Sequence, residues 1–430
     1  MGPLALIAKQ AGYEVSGSDI KDGQSIKYLT HLRQGSGGQA SPMFDIHIGQ
    51  SREQIAAVHA RKPIDWFVYT SAVLTENPDQ PEVKFCEENN IKVDRYDQLL
   101  NKIIIDHQFK LVAIAGTHGK TTTTAMVIWL FKQLDIPTSH SVGAQISFGK
   151  IGEFHKDSQY FVLEADEFDR KFLTFKPYLS IISGLGYDHH EIYKTMAEYN
   201  QAFKDFIAQS QKVVMWDKDA ELLNMLSNSA VRVEQEDNPA IENIKLPGLY
   251  NRRDAWLAVA AVSDLTGQPA SDLIAHINRF PGVGRRFERI AQNLYSDDAH
   301  TPEKIQGCMN VAGELAAKTG QKIVVIYEPL TNRRMYHLAA AHHDVFGGAS
   351  AIYWLPSYLA REDPNLPILS PAQLIKNLSP QLQVIAKPME RDEQLKTVIE
   401  RHLKAGDMVV AMAGGGAGSL DEWLRQHFTL

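Results

Sequence analysis

The residues Gly116-Thr117-His118-Gly119-Lys120-Thr121-Thr122 stand between an apolar stretch, Leu111–Ala115, and a segment patterned as a helix from Lys120. Glycines let backbone N–H groups approach phosphate oxygens, and a helix start adds partial positive charge. A lysine placed like Lys120 lies against the β- and γ-phosphates of a nucleotide, and a hydroxyl placed like that of Thr121 ligates Mg²⁺. The general phosphate-loop pattern needs a glycine five residues before Gly119, where this chain has Ile114. The specificity therefore lies in the whole string. The competing reading is a glycine turn with an exposed lysine and a Thr-rich helix start.

Further along, apolar strands deliver polar residues. Tyr160–Leu163 runs into Glu164, Asp166, Glu167 and Asp169, and Leu179–Ile182 is followed by Asp188 and His189. Carboxylates at the C-terminal end of a strand in an α/β domain face the crevice where ligands bind, and hard oxygens suit Mg²⁺. The same carboxylates would otherwise cap the next segment and be solvated. Asn251 reads by itself as the N-cap of the helix Arg253–Thr266. Arg285 and Arg286, in Gly284-Arg-Arg-Phe-Glu, read either as phosphate ligands or as a charged hinge.

The string Gly-Thr-His-Gly-Lys-Thr-Thr after an apolar strand resembles the ATP loop of the Mur ligases, in the branch that adds the first amino acid. The resemblance extends over nearly the whole chain. It implies that Gly116 to Thr122 hold ATP and that Thr121 and Glu164 hold Mg²⁺. It also implies that His189 ligates a second ion between the acyl substrate and the γ-phosphate, and that Asn251 lies near adenine. Asp297 and His300, in Leu294–Pro302, match a family segment near nucleotide and substrate, and Arg334 matches one facing the amino-acid carboxylate. Arg285 or Arg286 would reach a phosphate. Asp19 and Ser71 match the UDP-binding module, whose first strand and glycine turn would precede Met1. The chain departs from the family at Gly184, Gly186, Tyr250, Asp254, Ser296 and Asp298. The run Ala413 to Gly418 is weak evidence for any nucleotide site.

A carboxylate is a poor electrophile, so amide formation in water needs it activated. The resemblance implies an ATP- and Mg²⁺-dependent ligase in which a lactyl carboxylate attacks the γ-phosphate, ADP leaves, and an amine displaces phosphate from the acyl phosphate. The substrates implied are UDP-N-acetylmuramate and L-alanine. The alternative amine is the tripeptide L-alanyl-γ-D-glutamyl-diaminopimelate, and a different class of reading is a catalytically weak binding homologue. A hydride-transferring enzyme is disfavoured, because no GxGxxG follows a first strand and Lys120 would have no purpose.

These residues need strands to carry them. Alternating helix-like and strand-like stretches predict an α/β chain of three tandem domains. The expected division is 1–108, Rossmann-like and UDP-binding; 109–287, ATP-binding; and 288–430, Rossmann-like and amino-acid-binding. Expected strands are Tyr13–Val15, Asp45–Ile48, Asp65–Thr70, Lys110–Ala115, Lys212–Met215, Lys322–Tyr327, Ala351–Leu355 and Met408–Met412, with a surface loop at Gln34–Ala40. At 430 residues, 44% hydrophobic and 22% charged, the chain can bury substantial cores. A net charge of −7 with no long basic block argues against nucleic acid and acidic membrane surfaces as partners. Cys86 and Cys308 have neither disulfide-framework nor metal-ligand spacing, which fits a reducing cytoplasm. No run of 18 apolar residues and no signal-peptide layout occurs, so stable membrane association is not expected. A monomer or homodimer is expected.

Overall fold

Strand Lys110–Ala115 is apolar almost without interruption, and Val112 through Ala115 have 0% exposure. A strand covered on both faces has no polar side to alternate with, which is how central strands of parallel sheets read. It lies in a computed structural model that describes residues 1–20, 22–34, 41–187, 192–360, 362–416 and 418–428. Most of the loop expected at 34–40 lies outside these residues, as do Asp188 and His189.

The chain forms two compact units, residues 1–245 with 253–281, and residues 246–252 with 282–430. In the first unit, β1 (Ser16–Asp19) pairs in parallel with β2 (Asp45–Ile48), and β3 (Trp66–Tyr69) with β4 (Lys92–Arg95). These are two separate parallel ribbons among the described residues. The strand expected at Tyr13–Val15 begins only at Ser16. Tyr13 donates its N–H back to the Ala8 carbonyl at the end of helix α1 (Gly2–Gln10), so the ladder cannot start there. Tyr13 and Val15 still pack on the core, which accounts for their apolar alternation.

The main sheet of this unit contains β5 (Lys110–Ala115), β6 (Thr138–Ser141), β7 (Gly152–Glu153), β8 (Tyr160–Glu164), β9 (Leu179–Ile182), β10 (Lys212–Trp216) and β11 (Val231–Glu234). Their spatial order is β11-β10-β9-β5-β8-β6-β7, parallel throughout except for β7. The first strand in sequence is thus central, flanked by β8 and β9. The crevice beyond the ends of such diverging strands is where α/β sheets bind ligands. Helix α2 (Lys120–Gln133) follows β5 and is buried on nearly all sides. That burial offsets the modest helix propensity of its four threonines. Helix α3 (Leu249–Thr266) begins two residues before Asn251, so the N-cap reading of Asn251 is corrected: it lies inside the first turn.

The second unit has one sheet of six strands: β12 (Glu288–Ala291), β13 (Leu294–Asp297), β14 (Ile323–Glu328), β15 (Ala349–Trp354), β16 (Ala386–Pro388) and β17 (Met408–Ala413). Their order is β12-β13-β17-β14-β15-β16, with only β12 and β13 antiparallel. Helix α4 (Pro302–Thr319) covers one face, and helix α5 (Leu420–His427) packs against the other face. Among the described residues, no helix is long and apolar enough to cross a membrane.

Candidate functional site

Where β5 ends, the backbone turns through Gly116 (φ 141°) and reaches Gly119 (φ 74°), which precedes α2 without any side-chain cap. Both values lie in the region that side chains with a Cβ rarely adopt. Space also excludes a Cβ. At Gly116 it would stand 2.6 Å from Ser183 Oγ, and at Gly119 2.6 Å from Asp254 Oδ1. A helix start with no side chain over it leaves N–H groups directed at whatever anion enters.

The loop is held from below. Thr117 Oγ1 donates to the Gly186 carbonyl at 2.6 Å, accepts from the Gly186 N–H at 2.8 Å, and lies 2.6 Å from the Tyr199 hydroxyl. Ser183 Oγ donates to the His118 carbonyl. A Cβ on Gly186 would be 3.2 Å from His118 Nε2, so the small residue at this position keeps room for the histidine. Thr122 sits in the first turn of α2, partly exposed.

Thr121 meets a carboxylate from the end of β8, and Lys120 one from the segment that follows it. Thr121 Oγ1 donates to Glu164 Oε1 at 2.8 Å, and Glu164 Oε2 accepts from the Gly143 N–H at 2.8 Å. Lys120 Nζ donates to both oxygens of Glu167, at 3.0 and 2.8 Å, and to the Gly116 carbonyl at 2.6 Å. Burial disfavours the Lys120 ammonium, but Glu167, Asp166 and Glu164 outweigh it and hold its pKa above the ordinary lysine value. Asp166 pairs with Lys171, and Asp169 with Arg95. The four acidic residues of this string therefore have four different partners, and Glu167 was not singled out by its sequence context. Asp254, on α3, carries no strong partner charge, and burial pushes its carboxyl up to about 8.

Thr121 and Glu164 offer hard oxygens side by side, a donor set suited to Mg²⁺. Among the described residues there is no group of three or more His, Cys, Asp or Glu that could hold a metal. A site here would need oxygens from water or nucleotide, as Mg²⁺ sites commonly have.

In the second unit, Arg285 Nη2 donates to Asp298 Oδ1 at 3.0 Å and to the Ala413 carbonyl at 2.6 Å, and Arg286 Nη1 lies 3.4 Å from Asp298 Oδ2. Burial disfavours the Asp298 charge, but Arg286, His300 and Arg285 hold its carboxyl below the usual aspartate range. Asp297 accepts from the Phe287 N–H at 2.7 Å, and burial raises its carboxyl to about 6. His300 Nδ1 lies 2.5 Å from the Asp298 carbonyl, and burial, with Lys304 beside it, drives its pKa down to about 3. The structure thus brings Arg285, Arg286, Asp297 and His300 together around Asp298, a residue that sequence reasoning noted only as a departure. Arg334 lies in a short helix, Asn332–Leu338, and its positive charge is one cause of the depressed His300 pKa. Asn251 donates to the Pro247 carbonyl at 2.8 Å.

The glycine run after β17 is a packing feature. A Cβ on Gly414 would stand 2.6 Å from His300 Nδ1, and one on Gly415 2.7 Å from the Tyr358 ring. The start of α5 beyond it already has an anion, because the Leu420 N–H donates to Glu328 Oε2 at 2.9 Å. Asp19 closes β1, and its carbonyl accepts from the Gly49 N–H at 2.8 Å. Ser71 opens a short helix, Ser71–Glu76, directly after β3. Close to Asp19, buried Glu82 accepts from Ser18 Oγ at 2.8 Å, a contact with no signal in the sequence pattern.

A glycine loop bearing Lys120 thus lies at the diverging strands of a parallel sheet, with the Glu164 carboxylate on the neighbouring strand, the place where α/β enzymes bind their ligands. Residues 114–247 match the Mur ligase middle domain. The chain is 26% identical over 456 residues to the UDP-N-acetylmuramate–L-alanine ligase of Streptomyces coelicolor, spanning 98% of this chain and 93% of that one. In fold it is similar to the UDP-N-acetylmuramate-alanine ligase of Thermotoga maritima, with a TM-score of 0.73 at 22% identity over 96% of this chain and 93% of the other. It is also similar in fold to a murein peptide ligase from Psychrobacter arcticus, with a TM-score of 0.64 at 21% identity and the same coverage, 96% and 93%. Over residues 114–247 the chain is thus similar to the middle domain of the Mur ligases, and over nearly its full length to a UDP-N-acetylmuramate–L-alanine ligase.

Proposed function

We propose that this chain is an ATP-dependent ligase that joins L-alanine to the lactyl carboxylate of UDP-N-acetylmuramate, a step in peptidoglycan precursor synthesis. The observation that carries the reading is the pairing of Thr121 with Glu164 at 2.8 Å beside Lys120, inside a chain similar over 98% of its length to an enzyme named for that reaction.

In this reading the uncapped start of α2 and the N–H groups from Gly116 to Thr122 bind the nucleotide phosphates, and Lys120 stabilises the charge of the transferring phosphoryl group. Thr121, Glu164 and His189 would hold Mg²⁺, which supplies charge neutralisation at the phosphate oxygens when bound. Asn251 and Asp297 face the nucleotide, and Asp19 and Ser71 face the UDP moiety. Arg334 pairs with the carboxylate of the incoming amino acid, while Arg285, Arg286 and His300 position the reacting groups. His300 is neutral at pH 7, so it serves as a hydrogen-bonding group and not as a cation. The division into 1–108, 109–287 and 288–430 is part of the same reading, one substrate to each.

The test is ADP release with UDP-N-acetylmuramate and either L-alanine or L-alanyl-γ-D-glutamyl-diaminopimelate. L-Alanine is expected to give a kcat/KM higher by about tenfold or more, a modest margin because small apolar pockets discriminate weakly. A preference for the tripeptide overturns the choice of amine, and no turnover with either overturns the assignment.

A further inference from the structure

Two carboxylates, one ending β8 and one three residues beyond it, meet the loop between β5 and α2, and they divide the work. Glu164 takes the hydroxyl of Thr121, whereas Glu167, with 0% exposure, takes the ammonium of Lys120 with both oxygens. With the Gly116 carbonyl as third acceptor, all three N–H donors of Lys120 have a partner.

Glu167 is itself anchored. Its carbonyl accepts from the buried Tyr193 hydroxyl at 2.6 Å and from the Arg170 N–H at 3.0 Å. Directly after it the backbone passes through Asp169 and Arg170 at φ 56° and 54°. Two consecutive left-handed residues without glycine occur where surrounding structure over-determines them. Here they turn the chain so that Asp169 reaches Arg95 while Glu167 stays under the loop.

We propose that Glu167 is the positioning residue for Lys120, holding the ammonium at the mouth of the phosphate loop before nucleotide binds. This rests on the loop being the nucleotide site. A lysine side chain is a flexible four-carbon stem ending in a strongly hydrated charge. Left to itself it would sample solvent and lose that freedom on each binding event. Paired with a buried carboxylate and a carbonyl, it is already ordered and partly desolvated. The same carboxylate competes with phosphate for the ammonium in the ground state. Its removal therefore should not weaken nucleotide binding much, while turnover, which needs the ammonium in one place, should suffer.

The experiment is a double-mutant cycle with Glu167→Gln, Lys120→Ala and the double variant, read by ADP release and by thermal unfolding. Glu167→Gln is expected to lower kcat by about tenfold or more with the KM for ATP within about threefold of wild type. On the Lys120→Ala background the same change should alter kcat by less than about twofold, because its route of action is gone. The double variant should also melt at a higher temperature than either single variant, since each single one leaves a buried charge without its partner. That melting comparison needs no substrate, so it stands even if wild type releases no ADP, a result that would sink the ligase reading alone. Wild-type kcat in Glu167→Gln, additive losses in the double variant, or a double variant less stable than both singles would each overturn the proposal.

Discussion

The hydroxyl of Thr121, one residue into α2, donates to Oε1 of Glu164, the last residue of β8, across 43 positions of sequence at 2.8 Å. Parallel pairing of β5 with β8 sets this distance, with Ile114 opposite Glu164 in the register. Both oxygens are then available to one hard cation beside a bound phosphate. Glu164→Gln keeps the shape and the acceptor but removes the charge. The Mg²⁺ concentration giving half-maximal ADP release should rise by about tenfold or more. A titration that overlays that of wild type would mean the carboxylate only braces Thr121.

Gly119 has two reasons to be glycine: its φ of 74° and the Asp254 carboxylate 2.6 Å from where a Cβ would lie. Gly119→Ala should cost about 1–2 kcal/mol from the backbone alone, with the steric contact added. Adding Asp254→Ala should recover only the steric part. Urea unfolding of Gly119→Ala, Asp254→Ala and the double variant separates the contributions, and a double variant as stable as Asp254→Ala alone would show that the backbone conformation costs nothing.

Asp254 makes stability depend on pH in a direction opposite to a salt-bridged aspartate. Its pKa in the fold, about 8, lies above the ordinary value of 3.8, so the folded chain holds the proton more tightly than the unfolded chain. That contribution is complete below the ordinary aspartate range and is lost as pH rises through about 8. Asp254→Asn does not titrate. Its melting temperature should therefore gain on that of wild type progressively between about pH 4 and 8 and hold a constant lead above that range. A difference between the two proteins that does not change with pH would mean that the carboxyl ionises normally.

Asp298 is the opposite case. Its lowered pKa reflects Arg286, His300 and Arg285 prevailing over burial, so its contribution is present above the ordinary aspartate range and fades as pH falls through it. Asp298→Asn should cost about 2 kcal/mol in unfolding free energy, allowing for the partial exposure of both guanidinium groups. No measurable loss would place the stability of this cluster in the backbone contact between Arg285 and Ala413.

Much of this arrangement could be read from residue order. Lys110–Ala115 and Leu179–Ile182 are strands over the expected bounds because fully covered parallel strands are written as unbroken apolar runs. The loop between β5 and α2 was equally plain, since few residue types can follow a strand, turn through Gly116 and start a helix. Other features had no period to betray them. Which acidic residue of Glu164, Asp166, Glu167 and Asp169 meets Lys120 is decided by the left-handed turn at Asp169 and Arg170, a conformation that neither residue type announces. The late start of β1 follows from one backbone bond, Tyr13 to Ala8. Asp298 reads in the sequence only as a departure from the family pattern, and its partners, Arg285 and Arg286, come from before β12.

The central claim is that this chain activates a carboxylate by transferring the γ-phosphoryl group to it, and isotope transfer tests that chemistry directly. UDP-N-acetylmuramate carrying ¹⁸O in its lactyl carboxylate is turned over with ATP and L-alanine, and the inorganic phosphate is analysed by mass spectrometry. Attack of the carboxylate on the γ-phosphorus makes one carboxylate oxygen the bridge of the acyl phosphate, and attack of the amine leaves that oxygen with phosphate. The account predicts one ¹⁸O in the phosphate for each ADP formed from fully labelled substrate. ADP release with unlabelled phosphate would mean that water attacks the nucleotide, and would contradict the account.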